Sequence, residues 1–145
     1  MSTPKPVQGL VIRYAYLWRA EHQRGREEGV KDRPCAVVLA TTTEDGEDVV
    51  TVLPITHSPP ADSLFAVELP TATKKRLRLD GERSWVVLSE ANRFVWPGPD
   101  LRPLPNAGAG SAVLGLLPYK FAEELRLRLL AHIKARRAHI VPRTE

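Results

Sequence analysis

Residues 34–56 read PCAVVLATTTEDGEDVVTVLPIT, two apolar runs rich in β-branched residues on either side of Glu44-Asp45-Gly46-Glu47. Val, Ile and Thr suit a pleated, half-buried surface, and an Asp-Gly pair supplies the backbone freedom that a short hairpin loop needs. The stretch therefore predicts a β-hairpin with strands over 34–42 and 48–56. Pro54 has no amide hydrogen to give to a ladder, so the second strand is expected to be an edge, or irregular at that point.

Upstream, residues 10–18 (LVIRYAYLW) put Ile12, Tyr14, Tyr16 and Trp18 on one face at period two, which predicts the first strand. The polar stretch from Arg19 to Asp32, with Gly25 and Gly29 inside it, reads as a long loop. Downstream, Ser58-Pro59-Pro60 stops the pairing and opens another loop. Residues 64–69 (LFAVEL) and 84–88 (SWVVL) read as strands, and Thr71 is placed to cap a short basic helix running to about Leu79. The segment 93–106 (RFVWPGPDLRPLPN) carries too much Pro and Gly to be regular, although Phe94, Val95 and Trp96 are expected to pack onto the core. Residues 111–117 (SAVLGLL) suggest a last short strand.

From Pro118, which fits a helix's first turn, Phe121, Leu125, Leu129 and Ile133 recur every four residues with Leu130 beside them. Glu123 and Glu124 stand near the positive end of this helix, and Lys134, Arg136 and Arg137 near its negative end, as the macrodipole prefers. The tail 138–145 (AHIVPRTE) reads as a terminal strand or a loose basic end. The expected class is α+β, mainly β with helices: a small, strongly curved antiparallel sheet or partial barrel with a long C-terminal helix.

Composition narrows the chemistry. A chain of 145 residues, 43% of them hydrophobic, supports one core but hardly two, so residues 1–145 are expected to form a single domain. No apolar run is long enough to span a bilayer, and the first residues lack the layout of a secretory signal, so a cytoplasmic, non-membrane protein is expected. The single cysteine, Cys35, excludes an internal disulfide and a cysteine-based zinc cluster, and its apolar strand setting marks it as buried and inert. Twenty-one Lys and Arg against 17 Asp and Glu give a formal charge of +4, which suits a polyanionic partner. The basic residues cluster at Lys74, Lys75, Arg76 and Arg78 and again at Lys134, Arg136 and Arg137.

No phosphate-binding GxxxxGK[ST] loop is present, and His22, His57, His132 and His139 never form the i, i+4 pair that holds zinc on one helix face. No cofactor and no metal are expected. What remains is a polar set at strand ends and in loops: Arg33 opening the second strand, Thr56 and His57 closing the third, Glu90 following the fifth, and Glu27 and Glu28 in the long loop. Taken singly, each is more simply a surface charge or a good strand former.

The grouping is what lifts them. Gly25-Arg26-Glu27-Glu28-Gly29, followed by Arg33-Pro34 and the apolar run to Leu39, resembles the signature of the MazF/PemK toxins of bacterial toxin–antitoxin systems. Val52-Leu53-Pro54-Ile55-Thr56 resembles the family strand that ends in a functional threonine, and Val86 to Arg93 resembles the strand carrying an acidic residue and then an arginine. With the terminal helix, the resemblance covers roughly residues 8–135, leaving 136–145 as a basic tail. It implies an SH3-like partial barrel, a homodimer, and metal-independent cleavage of single-stranded RNA to a 2′,3′-cyclic phosphate and a 5′-hydroxyl. It further implies a small acidic antitoxin lying over the RNA groove. By resemblance Arg33 and Thr56 take the paired functional positions, Glu28 or Glu27 the loop carboxylate, and Glu90 the acidic position. Some PemK-type members carry an arginine two residues before that acid, where this chain has Leu88.

Cleavage without a metal needs a base for the 2′-hydroxyl, a stabiliser for charge on the phosphoryl oxygens and an acid for the departing 5′-oxygen. Arg33 suits the second role because a guanidinium grips two phosphate oxygens at once. Thr56 can orient an oxygen but is no base near neutral pH. His57 could act as base or acid, although period two turns it away from Thr56 unless the chain has already bent at Ser58-Pro59. RNA contacts are expected from Glu27, Lys31, Lys74, Lys75 and Arg93, with Trp18 or Trp96 offering a face to unstacked bases. The rival reading is a catalytically silent SH3-like module that binds a peptide or nucleic acid. A DNA-binding regulator using the basic C-terminal helix is weaker still, because no helix-turn-helix layout precedes that helix.

Overall fold

A computed structural model describes residues 5–25, 32–104 and 107–143. Its elements run β1 (Leu10–Tyr14), α1 (Arg19–Gln23), β2 (Arg33–Thr42), β3 (Asp48–Thr56), β4 (Ala66–Glu68), α2 (Thr71–Arg76), β5 (Trp85–Val87), β6 (Glu90–Val95), β7 (Val113–Leu116), α3 (Tyr119–Lys134) and β8 (His139–Pro142). The class is α+β, as the sequence predicts, with one mostly antiparallel sheet of eight strands.

The β2–β3 hairpin is the frame. Its loop closes through the Thr43 N–H on the Glu47 carbonyl at 2.8 Å and the Gly46 N–H on the Thr43 carbonyl at 3.0 Å. Gly46 holds φ +85°, a left-handed angle that glycine takes without steric cost. Along its free side β3 pairs first with β6, from Val49 to Val52, and then with β5, at Ile55 and Thr56. Pro54 sits at this change of partner and is buried, so β3 is a central strand rather than an edge. The residue without a donor falls where the sheet splits, which is the irregular alternative realised.

Both faces of the hairpin are covered, which explains why its strands read as near-continuous apolar runs. On one face Ala36, Val38, Leu53 and Ile55 join Val11 beneath α3, which contributes Ala122, Leu125 and Leu129. On the other, Cys35, Val37, Val50 and Val52 meet Ile12, Tyr14 and Phe94. Tyr14 and Phe94 stack at 4.8 Å between centroids. Gly9 lets α3 come close, because a Cβ there would stand 3.3 Å from the Ala122 Cβ. The buried stripe of α3 runs through Ala122, Leu125, Leu129 and His132; Phe121 and Ile133 are half-buried and Leu130 is exposed. Each fully buried leucine is worth about 1.5–3 kcal/mol of transfer free energy.

Several sequence expectations are corrected. The first strand ends at Tyr14, four residues short of Trp18. Residues 19–23 of the supposed loop form α1. Residues 63–65 are a single 3-10 turn, so the strand expected from Leu64 begins at Ala66. Thr71 is the first helical residue of α2 rather than its cap. Arg93–Val95, expected to be irregular, belong to β6, and Glu90 opens that strand. The tail takes its ordered alternative: β8 pairs with β6 in parallel.

Short strands leave backbone groups that side chains must satisfy, and here one buried polar network does so. Asn92 is fully buried; its Oδ1 accepts the Leu17 N–H at 2.9 Å and its Nδ2 donates to the Leu17 carbonyl at 2.8 Å. Arg143 donates to the Ala15 carbonyl at 2.8 Å and to Asn92 Oδ1 at 3.1 Å, and pairs with Asp100 at 2.8 Å. Residues 15–17 leave the sheet after β1, and this network fixes the path that delivers Trp18 to Arg33.

Candidate active site

Arg33 is the first residue of β2 and Thr56 the last of β3. Continuing the Cys35↔Pro54 register by one alternation sets Arg33 across from Thr56 on the same face. Two adjoining cavities open here, and both are lined by Arg33 and Thr56. The pair therefore forms a shared wall in one groove.

The first cavity, of about 290 Å³, is the more polar of the two and is rimmed by Asp32, His57, Arg78 and Asp80. The second, of about 500 Å³, is walled by Trp18, Pro59, Pro60, Phe65 and Val87, with Ser58, Asp62 and Ser89 among its polar groups. The Arg33 guanidinium lies over the Trp18 ring, 4.9 Å from its centroid. Its Nε is buried and has no hydrogen-bond partner among the described residues. A buried donor left unpaired costs about 1–3 kcal/mol, so this N–H calls for an acceptor beyond the described residues, as Arg13 Nη1 and His132 Nδ1 call for partners there. An anionic oxygen is the strongest such acceptor.

Thr56 Oγ1 accepts the Ser58 N–H at 3.2 Å, a local turn that leaves its own hydroxyl hydrogen available to donate. That turn also settles the orientation of His57. β3 ends at Thr56, and His57 lines the polar cavity instead of turning to the opposite face. Its Nε2 lies 2.8 Å from Asp80 Oδ2. The Asp80 carboxyl is pushed up by partial burial, but the Lys74 hydrogen bond, the Glu82 N–H and His57 outweigh this and hold it below its ordinary range. Asp80 is thus an anion that orients the imidazole. Sequence reading missed it, because a lone Asp in a turn carries no signal before the fold brings it to His57.

His57, Asp80 and Glu82 offer ligand atoms within 4.8 Å of one another, a spacing open to a metal ion. The Lys74 ammonium already takes Asp80 Oδ1 at 3.1 Å, and all three residues are exposed.

Glu90 is not among the residues lining either cavity. It accepts the Tyr16 hydroxyl at 3.1 Å and the Arg19 N–H at 2.8 Å, so it ties the start of α1 to the sheet. Burial raises its carboxyl above the ordinary value, against the opposing pull of these two donors, the Arg19 charge and His139. Lys74 is buried against Asp80, Lys75 is exposed on α2, and Arg93 is exposed on β6; none of the three lines the Arg33 groove. Glu27, Glu28 and Lys31 lie outside the described residues. Trp18 reaches the groove, whereas Trp96 packs against Phe94 at 6.2 Å. Leu88 is fully buried in the core beneath α3, and Cys35 is fully buried too, its thiol pushed far up by burial.

Among the described residues no helix is long and apolar enough to cross a membrane. A search of curated proteins finds no match. The family model described as PemK-like, MazF-like toxin of type II toxin-antitoxin system matches residues 15–94, more than half of the chain. The matched span holds the Arg33–Thr56 wall and every residue named at the rim of either cavity. This chain belongs to the PemK-like, MazF-like family of type II toxins.

Proposed function

We propose that this chain is a growth-inhibiting endoribonuclease that cuts single-stranded RNA without a metal, leaving a 2′,3′-cyclic phosphate and a 5′-hydroxyl. The observation that carries the reading is the Nε of Arg33, buried and without a partner among the described residues, on a wall shared with Thr56 at the junction of a more polar and an apolar cavity. A scissile phosphate at that junction supplies the missing acceptor, and its flanking base can enter the apolar side.

In the reaction the 2′-oxygen forms a bond to phosphorus as the bond to the 5′-oxygen breaks. The 2′-hydroxyl proton goes to a base, and an acid protonates the departing oxygen. Arg33 stabilises the charge on the phosphoryl oxygens, and Thr56 orients one of them. His57 is the group with acid–base capacity at the rim, and the Asp80 carboxylate holds it in place. With Leu88 buried, proton transfer does not depend on an arginine at that position. Glu28 or Glu27 is the expected loop carboxylate, and Glu90 serves by positioning Tyr16 and α1.

Family membership implies an antitoxin and, typically, a dimer. The partners we propose are a small acidic antitoxin that covers this groove and a second copy of the chain, acting in the cytoplasm where messenger RNA is found. The test incubates purified protein with a long RNA in EDTA beside Arg33→Ala and Thr56→Ala. Cleavage by the parent and not by Arg33→Ala is the expected result. Cleavage that survives both substitutions rejects the site, and silence of every form transfers the groove to the binding-module reading.

A further inference from the structure

Two helices end in the same unusual way. Arg78 follows α2 with φ +58°, and Arg136 follows α3 with φ +59°, each in the left-handed position where glycine is the common choice. The caps are complete: Leu79 N–H bonds the Lys74 carbonyl and Arg78 N–H the Lys75 carbonyl, and Arg137 and Arg136 repeat the pattern on His132 and Ile133. An L-residue there costs about 1–2 kcal/mol relative to glycine. A cation at the negative end of a helix returns about 0.3–1 kcal/mol, which offsets only part of this.

Position separates the two arginines. Arg78 lines the polar cavity beside Arg33, Thr56 and His57, whereas Arg136 lines neither groove cavity. The two acids in that cavity are already engaged, Asp32 with Arg102 at 3.4 Å and Asp80 with His57 and Lys74. No ion pair joins Arg78 to an acid among the described residues. Of the basic cluster at 74–78, then, the residue that reaches the groove is the one held at a strained backbone angle.

We propose that Arg78 binds the RNA phosphate next to the scissile one, on the His57 side of the groove, and so sets the strand's direction across the Arg33–Thr56 wall. This rests on the ribonuclease reading above. A contact to a phosphate that does not react is made equally in ground and transition states, so its loss raises KM and leaves kcat nearly unchanged.

The test maps cleavage sites on a long RNA, then compares the parent with Arg78→Gly and Arg78→Gln on a short substrate spanning one site. Both variants are expected to raise KM by about 10- to 100-fold, the range of one charge-assisted hydrogen-bonding contact. Arg78→Gly relieves the backbone and should unfold at an equal or higher temperature, with Arg136→Gly calibrating that gain at the matching cap. A substrate carrying a neutral methylphosphonate at the flanking linkage should abolish the difference between parent and variant, as coupled groups require. Unchanged KM in both variants overturns the proposal, and so does a fall in kcat accompanied by a lower unfolding temperature.

A second measurement uses a 2′-fluoro RNA, which lacks the attacking hydroxyl. If the parent cuts nothing yet binds this RNA, and Arg78→Gly weakens that binding about tenfold or more, the cleavage reading fails while the phosphate contact stands. If the parent cuts RNA and Arg78→Gly binds the 2′-fluoro strand as tightly as the parent, the contact fails while the cleavage reading stands.

Discussion

The two halves of the groove share one wall and differ in almost everything else. On the His57 side the rim is charged and most of its charges are paired: Asp80 takes Lys74 and His57, and Asp32 takes Arg102. On the Trp18 side the walls are aromatic, proline and aliphatic, with Trp18, Pro59, Pro60, Phe65 and Val87. A nucleotide has the same two-part character, an anion joined to a flat apolar base. The contrast suggests that Arg33 and Thr56 stand where backbone chemistry meets base recognition, and that lesions on the two sides should have different kinetic signatures.

The largest effect is expected at the shared wall. Arg33→Ala should lower kcat/KM by about 10²- to 10³-fold, the scale of losing an oxyanion-stabilising group, in a single-turnover assay on labelled RNA. Arg33→Lys should recover only part of this, because an ammonium lacks the planar fork. Next comes the charged side. His57→Ala should reduce kcat by about 10²-fold or more if the imidazole transfers a proton, and Asp80→Asn by less, because it disturbs only the imidazole's orientation. A normal kcat in His57→Ala removes His57 from the proton path and leaves the two halves differing only in binding.

On the apolar side the expected losses are smaller and fall on affinity. Trp18→Ala should weaken binding of 2′-fluoro RNA by about 1–3 kcal/mol if a base rests against this wall, read by fluorescence anisotropy. Part of the loss comes through Arg33, whose guanidinium rests on that ring. Asn92→Ala attacks the same side from behind. It strips the buried Leu17 amide and carbonyl of their partners, and should destabilise the fold by about 2–4 kcal/mol in urea unfolding.

The smallest effect concerns Glu90. Its carboxyl has a raised pKa in the folded chain, so the ionised form is penalised there, and stability should fall as pH rises from the ordinary carboxylate value through the raised one. Glu90→Gln keeps an acceptor for Tyr16 and Arg19 without the charge. Its stability relative to the parent should therefore improve from pH 4 to pH 7, whereas Glu90→Ala should lose about 1–3 kcal/mol at both. A parent stability that rises with pH through this window, cancelled in Glu90→Gln, reverses the sign and the assignment.

Local signals in the sequence determine the hairpin, the α+β class and the long helix. The β-branched apolar runs around Cys35–Val38 and Val50–Ile55, the Asp-Gly loop and the four-residue spacing of Phe121 to Ile133 are short-range and mutually consistent. They also put Arg33 and Thr56 at the open ends of the hairpin, while the resemblance to the MazF/PemK toxins is what singled out the pair. Misassigned stretches are those whose conformation depends on distant partners. Residues 15–17 read as strand, yet Asn92 and Arg143, more than 70 residues away, take over their backbone groups. Pro54 reads as an edge or an irregularity, and the choice between them is made by β3 splitting its pairing between β5 and β6 around it.

The groove itself belongs to the tertiary structure. His57 and Asp80 are 23 residues apart, and Arg33 joins them where the pairing of β2 with β3 brings it beside Thr56. The charge run at 74–78 looks uniform in sequence, but the cap that ends α2 buries Lys74, leaves Lys75 in solvent and aims Arg78 at the cavity. Sequence by itself determined the β2–β3 hairpin and the long C-terminal helix, because period and turn chemistry are local. Only the packed structure decided which charges are already paired and which remain for a substrate, because pairing depends on distances that no local pattern encodes.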